Sequence, residues 1–229
     1  MNLFRRASDL RERMDDPDCD PELLRNTYRQ FDRLNRLLPG WHGIYRSLIR
    51  PRLTDPRRRY RVLDIGCGGG GLLRDLYKWA GRDGYKLSLL GIDEDPRAIA
   101  FAAIGSWPEE ISFVHTGSES LAQSGESFDI VVCNHVLHHI PEKKVSSFLN
   151  DTESLAQSIA VISDPIRSRC GYALFGCAAS ILFRRSFIRE DGLLSIRRSY
   201  TLAELRDSVS SAWRVRSLPP FRALLLCEK

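Results

Sequence analysis

Between residues 60 and 165, strand-like apolar runs alternate with helix-like runs, and this alternation constrains the fold more than any other feature of the chain. The strand-like runs are YRVLDIG, KLSLLGID, ISFVHTG, FDIVVCN and IAVISDP; the helix-like runs between them cover 71–80, 96–104, 118–123 and 142–157. Strand and helix in turn predict a parallel sheet with helices on both faces. The runs are apolar with little alternation, as in strands buried on both sides. At the C-terminal end WRVRSL and FRALLLCE are separated by Pro219-Pro220. Two strands joined by so short a turn run antiparallel.

The segment before this pattern reads differently. DPELLRNTYRQFDRLNRLLPG opens with Asp20 as a cap and Pro21 at the first helical position. Leu23, Leu24, Tyr28, Phe31, Leu34, Leu37 and Leu38 recur at helical spacing, and Pro39-Gly40 is the expected stop. WHGIYRSLI reads as a second short helix and RPRLTDPRRR as a polar linker, so residues 1–59 are expected to form a helical cap and linker to a domain over 60–229. Residues 1–61 hold 15 Arg against nine Asp plus Glu. Without interleaved aromatic side chains this excess reads as a solvated helical face, and no nucleic-acid partner is expected. None of the six cysteines forms a CxxC pair and no histidine cluster has zinc spacing, so a reduced, cytoplasmic chain without a metal is expected.

The first strand runs into GCGGGG, residues 66–71. Glycines between a first strand and a first helix place backbone N–H groups at a helix N-terminus, beside the carboxyl ends of the strands, where open α/β sheets bind ligands. Gly66-x-Gly68-x-x-Gly71 matches a dinucleotide pattern and Gly66-x-Gly68-x-Gly70 the GxGxG of S-adenosylmethionine enzymes. Asp64 separates the two: an anion there repels a pyrophosphate and suits a ligand carrying an ammonium group. Asp93, at the end of the second strand, is placed to accept ribose hydroxyls.

VLDIGCGGG, GIDEDPRAIAFA, FDIVVCNHVLHHIPE and the closing hairpin resemble a class I S-adenosylmethionine-dependent methyltransferase, similar to the small-molecule enzymes of ubiquinone and menaquinone biosynthesis. The resemblance runs in order from residue 60 to 229. It implies a Rossmann-like, seven-stranded, mostly parallel α/β sheet with an antiparallel C-terminal hairpin strand. It implies S-adenosyl-L-methionine as cofactor, held by Asp64, Gly66, Cys67, Gly68 and Gly70 on the first loop. Asp93, Glu94, Ser118 and Asn134 complete that expected site. The chain departs from the family in FVHTGSES, where Gly117 stands in place of an acidic residue at the adenine, leaving Ser118 for that contact.

Methyl transfer to a hydroxyl requires alignment and removal of a proton. His138 and His139 follow the fourth strand and are the expected bases, with His42 and Asp191 as lesser ones. Asn134 lacks the Pro-Pro-Tyr that follows it in enzymes acting on planar amino groups. CGYALFGCAASILF, within an apolar insertion over about 165–190, is the expected wall of an acceptor pocket. It is too short to span a bilayer. Its flanking arginines give transient contact with a membrane surface as the lesser reading. The expected function is methylation of a hydroxyl on a small apolar, aromatic, polyketide- or quinone-like metabolite of secondary metabolism. The alternative is a catalytically weak binding protein on the same fold, and the sequence leaves oligomeric state open.

Overall fold

The computed structural model describes residues 3–37 and 40–229. Seven strands, Arg59–Ile65 (β1), Lys86–Asp93 (β2), Ile111–His115 (β3), Phe128–Asn134 (β4), Ala156–Pro165 (β5), Trp213–Leu218 (β6) and Arg222–Glu228 (β7), form one sheet in the order β3-β2-β1-β4-β5-β7-β6. The first five are parallel, and β7 runs antiparallel to both β5 and β6. This is the expected mostly parallel sheet with its C-terminal hairpin. Chain order turns outward in both directions from the β1–β4 pair. The crevice over the carboxyl ends of those two strands is therefore the topological switch point of the sheet.

Alternate side chains of the buried strands feed two cores. Val62, Leu89, Ile130, Val132 and Ile159 pack on one face with Leu72, Leu73 and Leu76. Leu63, Ile92, Val131, Cys133 and Ile162 pack on the other with Phe148, Leu149 and Leu205. The α-helices, in chain order, are α1 (Pro21–Leu37), α2 (Trp41–Ile44), α3 (Gly71–Arg82), α4 (Pro96–Ala103), α5 (Ser118–Gln123), α6 (Val145–Leu155), α7 (Arg169–Leu182), α8 (Ile188–Arg198) and α9 (Leu202–Ser208). Of these α2, α3, α4, α5, α6 and α9 supply side chains to these layers, whereas α1, α7 and α8 pack in clusters of their own. Thr201 and Glu204 form the expected capping box of α9.

The first 59 residues divide rather than acting as one unit. Asp20 caps α1 through Oδ1, which accepts the N–H groups of Glu22 and Leu23 at 2.8 and 3.0 Å. Leu24 and Tyr28 of α1 pack with Ala98 of α4 and with Phe187 before α8. Of the expected stop at Pro39-Gly40, Pro39 lies outside the described residues, and Gly40 directly precedes α2. Trp41, Ile44, Tyr45, Ile49 and Leu53 belong instead to the main core, against the α3 face of the sheet. The apolar insertion also extends further than its sequence suggested. RRSFIREDGLLSIRRSY contains α8, which packs against α7. Among the described residues no helix is long and apolar enough to cross a membrane. All six cysteines are free thiols; Cys67, Cys133 and Cys227 are buried.

Candidate functional site

The loop after β1 is held by backbone bonds. Gly66 and Cys67 N–H both donate to the Ile92 carbonyl at 2.8 and 3.0 Å, and Gly70 N–H donates to the Cys67 carbonyl at 2.9 Å. Gly66, Gly68 and Gly70 have φ of +70°, +51° and +75°, a region that side-chain-bearing residues enter at a cost. At Gly66 the reason is also spatial: a Cβ would lie 2.3 Å from Val136 Cγ2. At Gly68 nothing of the protein lies within 4 Å of such a Cβ, so that side of the backbone is open to a ligand.

Two carboxylates face this loop. Asp64 is 2 % exposed, and its buried Oδ1 has no hydrogen-bond partner. Burial, and then the charge of Asp93, push its pKa well above the ordinary carboxylate value. Asp93 uses Oδ2 to accept Gly68 N–H at 2.9 Å and Oδ1 to accept Asp95 N–H at 3.0 Å. It therefore shapes the loop as well as facing the cavity, and each oxygen keeps a further acceptor site. These residues, with Cys67, Glu94, Ser118, Asn134, His138 and His139, line a cavity of about 550 Å³. Of the expected cofactor residues these are brought together at the switch point, whereas Gly70 faces Phe113 and Trp107 and does not line the cavity.

An acceptor with no donor, buried at the end of β1, fits an ammonium group and argues against a phosphate. The open backbone of the loop and the Asp93 carboxylate fit the rest of S-adenosylmethionine. At the departure after β3, a Cβ on Gly117 would lie 2.6 Å from Glu94 Oε1. The Glu94 carboxyl already occupies the space that a side chain at 117 would take. Ser118 opens α5 beside it and is buried.

The stretch after β4 carries three histidines in different states. His135 has a φ of +61°; its N–H donates to the Ser163 carbonyl at 3.0 Å. Burial, and then Arg222, hold its pKa well below the usual imidazole value, so the ring is neutral. Its Nε2 is buried and unpartnered. His138 is 1 % exposed and donates from Nδ1 to both Asp164 oxygens at 3.0 Å. Its Nε2 lies 3.5 Å from Glu12 Oε1. Burial alone would lower its pKa, but Asp164 and Glu12 outweigh burial and raise it to about 9. His139 is more open; its Nδ1 is 3.3 Å from Asp15 Oδ2 and its Nε2 3.7 Å from Glu12 Oε2. Burial would raise the Glu12 pKa, yet the two imidazoles bring it below the ordinary value.

The other two candidate bases lie elsewhere. His42 lies against Trp79, with ring centroids 5.1 Å apart and the planes tilted by 56°, and lines neither cavity described here. Asp191 accepts the N–H groups of Arg13 and Met14 at 2.8 and 3.0 Å. Its pKa is raised to about 6 by burial and by Glu12 and Asp15, although those two N–H groups oppose the rise.

Asp191 belongs to a second cavity of about 420 Å³. Leu174, Phe175, Ala178, Leu182 and Phe183 on one side, and Ile188, Ile196 and Phe221 on the other, give it apolar walls. Glu12, Phe31, His135 and Ser195 line both cavities, so the two meet at these side chains. Sequence reasoning missed Glu12, His135 and Asp164. A motif search sees residues close in sequence, and Glu12 and Asp164 reach the His138 region from separate segments; His135 stands in the same stretch as His138. Arg222, buried at the start of β7, donates to Asn134 Oδ1 and so ties the end of β4 to the hairpin.

Residues 62–157 match the family model described as a methyltransferase domain. A ubiquinone biosynthesis O-methyltransferase of Ruegeria sp. (strain TM1040) is 31 % identical over 128 residues, 54 % of this chain and 49 % of that protein. The enzyme of the same name from Sinorhizobium fredii (strain NBRC 101917 / NGR234) is 37 % identical over 95 residues, 40 % of this chain and 36 % of that one. The matched region thus spans about half or less of these curated relatives. Among solved structures, the plantazolicin methyltransferase BpumL, in complex with a pentazolic desmethylPZN analog and SAH, superposes with a TM-score of 0.63 at 13 % identity, covering 91 % of this chain and 96 % of that one. Magnesium protoporphyrin IX methyltransferase (ChlM) from Synechocystis PCC 6803, with bound SAH, gives a TM-score of 0.54 at 17 % identity, covering 92 % and 100 %. At these identities the likeness is one of fold.

Proposed function

We propose, from the premise that this chain is a class I S-adenosylmethionine-dependent methyltransferase by family and fold, that it methylates a hydroxyl of a small, apolar, aromatic acceptor. The observation that carries this reading is the junction of the two cavities at Glu12, Phe31, His135 and Ser195. One cavity has the polar groups that a nucleoside and an amino acid need, and the other has apolar walls. Reactants seated in both would approach one another at the junction, where alignment contributes most to rate.

Asp64 and the backbone N–H groups of the glycine loop would hold the methionine end of the cofactor. Asp93 would accept the ribose hydroxyls, and Ser118, with Glu94 beside it, would face the adenine. When bound, S-adenosylmethionine supplies an activated methyl group on a positively charged sulfur. Phe175, Ala178, Leu182 and Phe221 would clasp the acceptor and exclude water. The acceptor's proton falls to the group formed by Glu12, His138 and His139 on the wall of the cofactor cavity. In this reading His138, fixed between Asp164 and Glu12, orients the group, while His139 is its more accessible member.

The test is single-turnover methyl transfer to a panel of phenols and hydroxyquinones by the wild type and by Ala178→Phe, which fills the apolar cavity. The filled variant should lose about 100-fold in transfer, as misplaced reactants do, while its affinity for S-adenosylhomocysteine stays unchanged. Transfer that is indifferent to the filling would place the acceptor elsewhere.

A further inference from the structure

We propose that Glu12, His138 and His139 form a binding site for one divalent first-row transition-metal ion where the two cavities meet. One ligand atom from each residue lies within 4.8 Å of the other two. His138 Nε2 is 3.5 Å from Glu12 Oε1, and His139 Nε2 is 3.7 Å from Glu12 Oε2. These separations exceed those of good hydrogen bonds, about 2.7–3.2 Å. They run to the two different oxygens of Glu12 and lie near the edge length of a tetrahedral site, because metal–ligand bonds of about 2.0–2.2 Å set ligand atoms roughly 3.3–3.6 Å apart; a small closing movement would bring the three residues onto one ion.

The second observation is the state of His138 itself. Its side chain is 1 % exposed, and Nε2, which faces Glu12, has no hydrogen-bond partner. A buried ring nitrogen left without a partner is rare enough to need an explanation. Its other nitrogen is committed, since Nδ1 lies 3.0 Å from both Asp164 oxygens. His139 repeats the arrangement, with Nδ1 3.3 Å from Asp15 Oδ2. A carboxylate on Nδ1 fixes one proton there, and the second proton, which Asp164 and Glu12 favour on His138, leaves Nε2 when an ion takes its place. Metal-bound histidines are oriented in the same way. Ser195 Oγ, 2.8 Å from Glu12 Oε1, steadies the carboxylate.

The charges around the group suit a dication. Glu12, Asp15 and Asp164 bring three carboxylates to the two imidazoles. Opposing them are Arg198, whose Nη1 is 3.8 Å from Glu12 Oε1 and 3.5 Å from Asp15 Oδ2, and Arg222, which acts on Asp164. Arg6 donates to the backbone carbonyl of His138 rather than to the carboxylates. Two imidazoles and one carboxylate select zinc, iron or cobalt over magnesium or calcium, which prefer all-oxygen sites. Three protein ligands leave a position for water or for an oxygen of the acceptor, whose proton a metal ion makes easier to remove. That last use of the ion rests on the methyl-transfer reading; the binding of the ion does not.

The test uses the full chain, stripped with a chelator and titrated with Co²⁺ and then Zn²⁺, with no cofactor or acceptor present. One equivalent should bind and give visible d–d absorption without a thiolate-to-cobalt band. Glu12→Gln and His139→Ala, which each remove a ligand, should weaken binding by about 100-fold or more. Asp15→Asn, which removes no ligand but takes the charged partner from His139 and from Arg198, should weaken it by roughly 10-fold. Urea denaturation and circular dichroism of the same samples should show the fold retained. That would separate loss of the metal site from loss of the fold, and because no cofactor or acceptor is present the result does not depend on the methyl-transfer reading. Equal binding by wild type and variants, a thiolate band from the exposed Cys170 or Cys177, or no binding of either ion would overturn the proposal.

Discussion

The two cavities differ in how the chain builds them. The glycine-loop cavity comes largely from short segments that end or follow β1, β2, β3 and β4. Asp64, Gly66 and Gly68 are near neighbours in sequence, as are Asp93 and Glu94. Its shape depends on backbone geometry, with three glycines at positive φ and a carboxylate gripping the loop. The apolar cavity is made by side chains of α7 and α8, the β6–β7 turn and single residues from the N-terminal segment. Its shape depends on packing between helices. A backbone-built site tolerates few residue types, whereas a packed apolar wall tolerates many of similar size. Substitutions should therefore have sharp, position-specific effects in the first cavity and graded effects on acceptor choice in the second.

The sharpest contrast lies inside the glycine loop. Gly66→Ala places a Cβ at positive φ and 2.3 Å from Val136 Cγ2. The backbone strain and the clash together should cost about 2–5 kcal/mol of folding stability, read by urea denaturation. Gly68→Ala has the strain without the clash, since nothing of the protein lies within 4 Å of the new Cβ. It should lose only about 1–2 kcal/mol in stability but lose more of its affinity for S-adenosylhomocysteine than a stability change explains. Equal stability losses in the two variants would mean that the Val136 contact relaxes and that the loop is not built as described.

Asp93→Ala comes next. It removes an acceptor for the ribose hydroxyls, worth about 1.5–3 kcal/mol for bonds to a charged group, or roughly 10- to 100-fold in affinity. It also strips Gly68 and Asp95 of an N–H partner, so some folding stability should go with it. Calorimetry with S-adenosylhomocysteine, set beside a denaturation curve, separates the two effects. Unchanged affinity would remove Asp93 from the cofactor site.

The same contrast sets what could be read in the sequence. Glycine clusters, strand ends and capping residues act locally, so Asp64, the loop, Asp93 and the capping box of α9 were legible. The β1–β5 runs were legible because buried parallel strands are almost uninterrupted apolar stretches. The helix over Ile188–Arg198 was not, because its run holds a glycine and several charges and is helical through packing on α7. In the sequence Trp41 to Leu53 reads as cap and linker, since nothing local shows that its apolar side chains join the main core. The Glu12–His138–His139 group was invisible for a related reason. Metal spacing was sought within short segments, whereas the carboxylate arrives from a distant N-terminal segment.

A smaller effect tests the charge at the end of β1. Burial and Asp93 keep the Asp64 carboxyl protonated over a pH range in which the unfolded chain ionises it. The folded state then binds more protons than the unfolded state. This group's contribution to stability therefore falls as pH rises from about 4 toward the raised pKa. A bound ammonium group reverses the balance by favouring the carboxylate, so binding should release a proton below that raised pKa. Affinity for S-adenosylhomocysteine should climb with pH there by at most about tenfold per unit. Calorimetry in two buffers of different protonation enthalpy measures the released proton directly. Asp64→Asn should flatten the slope, and a slope unchanged in that variant would assign the proton to another group.

The smallest effect is expected at the adenine end, where the chain departs from the pattern it otherwise resembles. Ser118→Ala removes a neutral hydroxyl, and a neutral hydrogen bond is worth about 0.5–1.5 kcal/mol, so affinity should fall by roughly tenfold or less. The informative variant is Gly117→Asp, which restores the acidic residue that the resemblance leads one to expect. If Glu94 fills that space, the new side chain meets the Glu94 carboxyl, 2.6 Å from where its Cβ would stand. Two like charges then compete for one position, and affinity for S-adenosylhomocysteine should fall rather than rise. Glu94→Gln should also bind less well than wild type, while Gly117→Asp combined with Glu94→Ala should recover what either change loses. A gain in affinity from Gly117→Asp alone would show that the adenine end lacks an acidic partner and that Glu94 does not supply one.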